Sequence, residues 1–272
     1  MLILLPPSET KRDGGAGAPL LLESLRFPSL LPVRREVVDA VLALSADRET
    51  AVRALKLGPK QAGEVDRNRA ILASPTMPAL QRYTGVLYDA LSPETLSPAA
   101  QQFAASRVAV KSALLGLVGA DDLIPAYRLS FDSRLSLERG VPSLTKRWAP
   151  AAGEALRAHG GLLLDLRSEG YAALGPLPRR DGAHYVRVLA RDETGAVRAL
   201  NHFNKQAKGL LTRALIESGV DFSGTAELLE WAAAERYELT ETDDGSGDLQ
   251  LVVPEVAGPP GKLMAVLRSA AA

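Results

Sequence analysis

The chain has 272 residues, with 32 lysines and arginines balancing 32 aspartates and glutamates at a formal net charge of zero. Apolar residues make up 46% and charged ones 24%, which excludes disorder and fits a folded protein with a sizeable core. Zero net charge and zero cysteine exclude a globally basic nucleic-acid binder, disulfides, thiolate metal sites and thiol peroxidase chemistry.

Met1 leads into the strand-like run Leu2-Ile3-Leu4-Leu5 without a basic n-region or a long apolar stretch, so no secretory signal is expected. No segment approaches the ~20 apolar residues that span a bilayer, and a cytoplasmic location without membrane contact is expected. Arg12 to Pro19, rich in glycine, reads as a flexible loop. Apolar spacing from Pro32 to Lys56 predicts amphipathic helix broken near Ser45-Ala46-Asp47, and a third helix covers Gln61 to Leu72, with arginines on the outer faces. Tyr83 to Tyr88 reads as strand or loop, where Gly85 permits close backbone approach. Ser97-Pro98 is a cap and first-turn proline for a helix running towards Leu115.

Ser143 caps a helix reaching His159, with Leu144, Trp148, Ala152 and Leu156 on one face. Leu162 to Leu166 is a buried strand by its unbroken apolar run. His184 to Arg191 and Val197 to Phe203 form a hairpin around Asp192 to Ala196, and Asn204 caps a helix to Ser218-Gly219. Thr225 to Ala234 is a short helix. Arg236 to Thr240 and Asp248 to Val253 form a second hairpin, and after Pro254 the chain is a linker followed by a docked helix or a frayed tail. The expected architecture is α+β (mixed α/β), a single domain over residues 1–253 with a central mixed sheet and surrounding helices, then a tail over residues 254–272.

In mixed α/β proteins ligands sit outside the carboxyl ends of strands. Three polar clusters follow predicted strands directly. In the first, Ser8, Glu9, Thr10 and Lys11 offer hydroxyl, carboxylate and amine for positioning or acid–base work, or simply a capped turn. In the second, Asp165, Ser168, Glu169 and Tyr171 put carboxylate, hydroxyl and phenol around one turn. In the third, Asn204, Lys205, Lys208 and Arg213 open a helix, where cations beside exposed backbone N–H groups suit a phosphate or carboxylate, or are solvated surface charges. Tyr127-Arg128 adds a guanidinium that can grip an anion through two parallel hydrogen bonds or pair with Asp132. Trp148 and Trp231 read as core anchors. The separated His159, His184 and His202 argue against an iron site, and no metal or other cofactor is expected.

The runs Leu4 to Lys11, Gly116 through Asp122 to Leu129, Asp165 to Tyr171, and Asn204-Lys205 to Gly209 with Arg213 occur in the order and spacing of the YaaA peroxide-stress family, which the chain resembles over most of residues 1 to 245. In that family a lysine more often precedes the threonine of the first motif. Here Glu9 stands there and the lysine follows at Lys11. The resemblance implies a fold with a positively charged cleft and a helix-hairpin-helix motif, which would fall around Gly116 and Gly119 and present backbone N–H groups to DNA phosphates. Asp121 and Asp122 flank that hairpin and oppose a phosphate. DNA binding through the cleft, limiting iron and peroxide damage indirectly, is the leading expectation. An enzyme acting on a small phosphate- or carboxylate-bearing substrate in the same cleft is the alternative.

Overall fold

The computed structural model describes residues 1–138, 140–192, 194, 196–199 and 204–254. His202 and Phe203 of the first expected hairpin, and the tail beyond residue 254, lie outside the described residues. The strands are β1 (Leu2–Leu5), β2 (Met77–Pro78), β3 (Val108–Ser112), β4 (Gly116–Gly119), β5 (Leu123–Ile124), β6 (Leu163–Asp165), β7 (Ala183–Arg191), β8 (Val197–Ala199), β9 (Glu238–Glu241) and β10 (Leu249–Pro254). The helices are α1 (Leu31–Ala46), α2 (Arg48–Ala54), α3 (Glu64–Arg69), α4 (Ala79–Arg82), α5 (Val86–Leu91), α6 (Pro98–Arg107), α7 (Leu144–Arg157), α8 (Glu169–Ala172), α9 (Asn204–Ser218) and α10 (Thr225–Ala234).

One mixed sheet organises this α+β domain, in the order β4-β3-β1-β6-β7-β10-β9. β1 lies inside it, parallel to both β3 and β6 and buried along its whole length. A strand covered on both faces needs apolar side chains on both, which is why Leu2 to Leu5 is unbroken rather than alternating. α5, α6 and α9 pack together on one side, α6 against β3 and α9 against β7, while α7 packs on β4 and α1 on the other.

β7 determines where the sheet opens. Its first residues, Ala183 to Tyr185, pair with β6, whereas Leu189 to Arg191 pair with β8 and the whole length from Val186 pairs with β10. Beyond Asp165 the edge of β7 is therefore left by β6, and an open cleft lined by Asp165, His184 and Tyr185 lies beside the carboxyl end of β6.

The caps act as expected. Asp47 accepts from the Thr50 N–H at 2.7 Å to start α2, Ser97 from Ala100 at 3.2 Å, and Ser143 from Lys146 at 3.3 Å. The strand at 162–166, the helices at 204–218 and 225–234, and the β9–β10 hairpin also form where the sequence places them.

Five expectations are corrected. The helix from Ser97 ends at Arg107, because Val108-Ala109-Val110 is drawn into the parallel ladder beside β1. Gly116 and Gly119 consequently bound an antiparallel strand paired with β3, fully buried, and no helix-hairpin-helix forms there. Gly116 is glycine because its φ is +73° and a Cβ would meet the Trp148 ring at 2.6 Å.

The glycine-rich loop after Lys11 is tied down: fully buried Arg82 donates to the carbonyls of Arg12, Gly14, Pro75 and Ile124. Arg34 is equally buried, its guanidinium spent on the carbonyls of Leu25, Arg26, Leu115 and Leu117, rather than outside on α1. Tyr83 to Tyr88, read as strand or loop, instead spans the end of α4 and the start of α5. Among the described residues no helix is long and apolar enough to cross a membrane.

Candidate functional site

The chain leaves β1 at Pro6 and turns so that Lys11 folds back into the protein. Its Nζ donates to the carbonyls of Ser8 at 3.0 Å and Glu9 at 3.3 Å, and lies 4.1 Å from the centre of the Tyr127 ring. The side chain is buried, and desolvation pushes the ammonium down to about 7, with Arg128 adding to the fall and Glu64 and Glu9 opposing it. The ring face supplies partial negative charge but no proton acceptor, so it only moderates the cost.

Behind Lys11 lies a run of hydrogen-bonded hydroxyls. Ser112 Oγ accepts from the N–H groups of Leu114 at 3.1 Å and Leu115 at 2.9 Å, which fills its acceptor capacity. Its own proton therefore goes to Tyr127 Oη, 2.7 Å away, and the Tyr127 and Tyr83 hydroxyls share a further hydrogen bond of 2.9 Å. Burial raises the hydroxyl pKa of both tyrosines. All three groups remain protonated donors at neutral pH.

Arg128 is held by its backbone, which exchanges two 2.8 Å hydrogen bonds with the Asn68 amide. Its guanidinium reaches Glu9 at 2.7 Å rather than Asp132, which pairs with Lys56. Tyr171, from α8, packs edge-on against Phe131 at 5.3 Å, and burial pushes its hydroxyl up to about 12, with Glu9 contributing. Half-buried Ser8 and exposed Thr10 stand at the rim, 3.2 Å apart, with the Thr84 hydroxyl 3.0 Å from Thr10. Gly85 has a φ of +97° and a Cβ there would lie 3.4 Å from Ser8 Oγ, so the backbone approaches closely as expected.

A second group adjoins at the end of β6. Asp165 and Arg167 form a fully buried pair, Nε to Oδ1 at 2.7 Å and Nη2 to Oδ2 at 2.6 Å. Lys208 of α9 is buried, donates to the Arg167 carbonyl at 3.3 Å and lies 5.0 Å from the Tyr185 ring centre. Burial pushes it down to about 8, against the pull of Asp165 and Glu169. On the outer side, Asp165, His184 and Tyr185 line an open cleft of about 950 Å³ with Arg179, Arg180 and Asp244 to Asp248. His184 itself is committed, at 2.6 Å to the Gly247 carbonyl and 2.7 Å to Thr225 Oγ1.

The sheet thus brings Lys11, Tyr127, Arg128 and Tyr171 around one end of β1, and Asp165 and Lys208 to the adjoining end of β6. Ser168 and Glu169 are exposed at the start of α8, and Lys205 is exposed on α9 next to half-buried Asn204. Arg213 is not part of this grouping: it binds the carbonyls of Leu91 and Ser92, Thr95 Oγ1 and the Glu217 carboxylate, clamping the end of α5. Gly116 and Gly119 lie inside the protein, and the Gly119 N–H is taken at 2.8 Å by Asp122. Sequence reasoning placed Arg167 in the second polar cluster without a role and missed Tyr83, Lys111, Ser112 and Tyr185. A lysine and a serine ending an apolar run, Val108 to Ser112, were the available signal.

The fold and this lysine- and tyrosine-lined strand end define an α+β protein with polar groups gathered at the carboxyl ends of parallel strands. Residues 1–243 match the family described as peroxide stress protein YaaA, and the chain belongs to that family. A UPF0246 protein of Corynebacterium efficiens is 42% identical over 254 residues, covering 93% of this chain and all of the relative. A UPF0246 protein of Streptomyces coelicolor is 39% identical over 267 residues, covering 94% and 100%.

Proposed function

We propose that the chain is an enzyme, and that the polar groups gathered at the carboxyl ends of β1, β3 and β6 bind a small anionic metabolite bearing phosphate or carboxylate. The observation that carries this reading is Lys11: a buried amine, held by two carbonyls and a tyrosine face, with its pKa brought down to about 7. An amine in that range is about half unprotonated at neutral pH, which suits a general base or an amine nucleophile. Arg128 supplies the group for the substrate anion, with exposed Glu9 as the counter-ion that substrate displaces.

DNA binding receives less support. Gly116 to Gly119 is buried and the Gly119 N–H already has a carboxylate, so that segment offers no free N–H to a phosphate. Of the two α9 lysines, Lys208 is buried and only Lys205 faces outward. Without cysteine, any protection from peroxide is indirect.

The test is a binding panel of small phosphorylated and carboxylated metabolites read by thermal shift, alongside duplex and single-stranded DNA across a salt series. Stabilisation by one metabolite class that is lost in Lys11→Met supports the enzyme reading. DNA retention that falls linearly on a log–log salt plot, with no small-molecule shift, defeats it.

A further inference from the structure

Lys111 and Arg167 belong to different strands, yet the sheet brings them to one level. Leu5 of β1 is in register with Val110 of β3, and Leu4 with Asp165 of β6. Continued one and two residues, both registers meet at Pro6, with Lys111 on one side and Arg167 on the other. Their backbones are two strands apart, about 10 Å. Residues at one level of a parallel sheet project to the same face, so these long side chains extend over Pro6 together.

Both end beneath α7. Lys111 Nζ lies 4.4 Å from the centre of the Trp148 ring. A Cβ built at Gly175 would lie 2.8 Å from the Ala152 Cβ and 3.6 Å from Arg167 Nη1, which puts that nitrogen beside Ala152. Trp148 and Ala152 are one helical turn apart and neighbours on one face.

The charges there do not balance. Lys111, Arg167 and Arg34 are all fully buried, and among the described residues the carboxylate that directly pairs with any of them is Asp165. Arg34 is satisfied by carbonyls, and Arg167 by Asp165 and the Gly175 carbonyl through Nε and Nη2. Lys111 Nζ and Arg167 Nη1 have no hydrogen-bond partner among the described residues. An ammonium and one guanidinium nitrogen present five N–H donors, each costly to bury unmet. Water would accept from both but leave the charge uncompensated.

We propose that Lys111 Nζ and Arg167 Nη1 together hold a small inorganic anion of chloride size beneath α7. A monatomic anion accepts from any direction, which suits side-chain donors arriving from two strands. It also reverses the balance that otherwise drives Lys111 far below the usual lysine range, through burial first and then Arg167 and Arg34. The site lies on the opposite face of β3 from Ser112 and the Lys11 groups, and stands independently of the proposed enzyme activity.

The test uses the whole protein, dialysed into bromide, chloride or gluconate at one ionic strength. Crystals grown in bromide are expected to show an anomalous peak between Lys111 Nζ and Arg167 Nη1. At a halide concentration a hundredfold above Kd, the melting temperature is expected to rise by roughly 5 °C over gluconate. In Lys111→Met the halide shift should vanish. No bromide peak together with equal melting temperatures in the wild type overturns the proposal, leaving a neutral Lys111 amine. If Lys111→Met does not fold, the wild-type bromide occupancy decides alone.

Discussion

The Lys11 ammonium lies 4.1 Å from the centre of the Tyr127 ring, and that ring in turn receives the Ser112 proton at its hydroxyl. The two residues are 116 positions apart and meet because Ser112, at the end of β3 beside β1, holds Tyr127 by its hydroxyl. An aromatic face and two carbonyls cannot replace the hydration of an ammonium, so the folded chain holds Lys11 at about 7 against 10.5 for a free lysine.

Stability should accordingly depend on pH in a defined sense. Between about 7 and 10.5 the unfolded chain carries a proton on Lys11 that the folded chain lacks, so stability rises with pH in that window. Lys208, at about 8, acts in the same direction. Tyr83, Tyr88 and Tyr127 are raised above their ordinary 10, so the folded chain keeps their protons longer and stability falls again above that pH. Urea denaturation from pH 7 to 11 should show a maximum near pH 10. Lys11→Met should flatten the rising limb by about 1 kcal/mol per pH unit, and an unchanged limb would mean that Lys11 titrates normally.

Asp165→Asn should be among the more damaging substitutions. It leaves the Arg167 guanidinium fully buried with no carboxylate, a change that costs about 3–5 kcal/mol in comparable buried pairs. The double variant Asp165→Asn with Arg167→Met removes the stranded charge and should recover part of the loss. Chemical denaturation of Asp165→Asn, Arg167→Met and the double variant measures this coupling, and a double variant no more stable than Asp165→Asn would show that the pair is not the source of the cost.

Much of this fold was legible along the chain, and the reason is local. β1 and β6 are unbroken apolar runs, α7 carries a Ser143 cap with Trp148 and Ala152 on one face, and β9 and β10 flank a glycine-rich turn. β3 was hidden because α6 passes into Val108 with no turn residue between them. Its pairing with β1, more than a hundred residues earlier, draws Val108 to Ser112 out of a helical pattern. The candidate site was legible in its first motif, where Lys11 and Glu9 stand together. Its run of hydroxyls was not, since Ser112, Tyr127 and Tyr83 come from separate segments and only packing joins them.

Gly209 gives a sharp test of the α5–α9 contact beside the site. A Cβ at this helical position would meet the Leu87 carbonyl oxygen at 2.2 Å and the Ala90 Cβ at 2.9 Å. Alanine gains about 1 kcal/mol of helix propensity over glycine, but a clash with backbone outweighs it. Gly209→Ala should therefore destabilise by about 2 kcal/mol, within the range for overpacked cores. Gly63→Ala, where no atom lies within 4 Å, should be neutral or slightly stabilising in the same thermal melts. Equal behaviour of the two variants would show that α9 can shift away from α5.

Arg128 and Glu9 set the last expectation, which concerns anion affinity. Their ion pair is a single 2.7 Å contact between a guanidinium 10% exposed and a carboxylate 58% exposed, so solvent screens it and it contributes little to folding. For an incoming anion the same pair is a competitor that must first open. Glu9→Gln keeps the size and removes the competing charge, and should tighten inorganic phosphate binding by up to about fivefold, the equivalent of roughly 1 kcal/mol. Arg128→Leu should weaken it by tenfold or more, since a charge-assisted hydrogen bond is worth about 1.5–3 kcal/mol. The backbone at Arg128 is fixed by Asn68 rather than by its own side chain, so this variant should fold as the wild type does. Calorimetric titration with phosphate reads both effects. Unchanged affinity in Arg128→Leu would remove Arg128 as the anion's partner and, with it, the orientation of substrate towards Lys11.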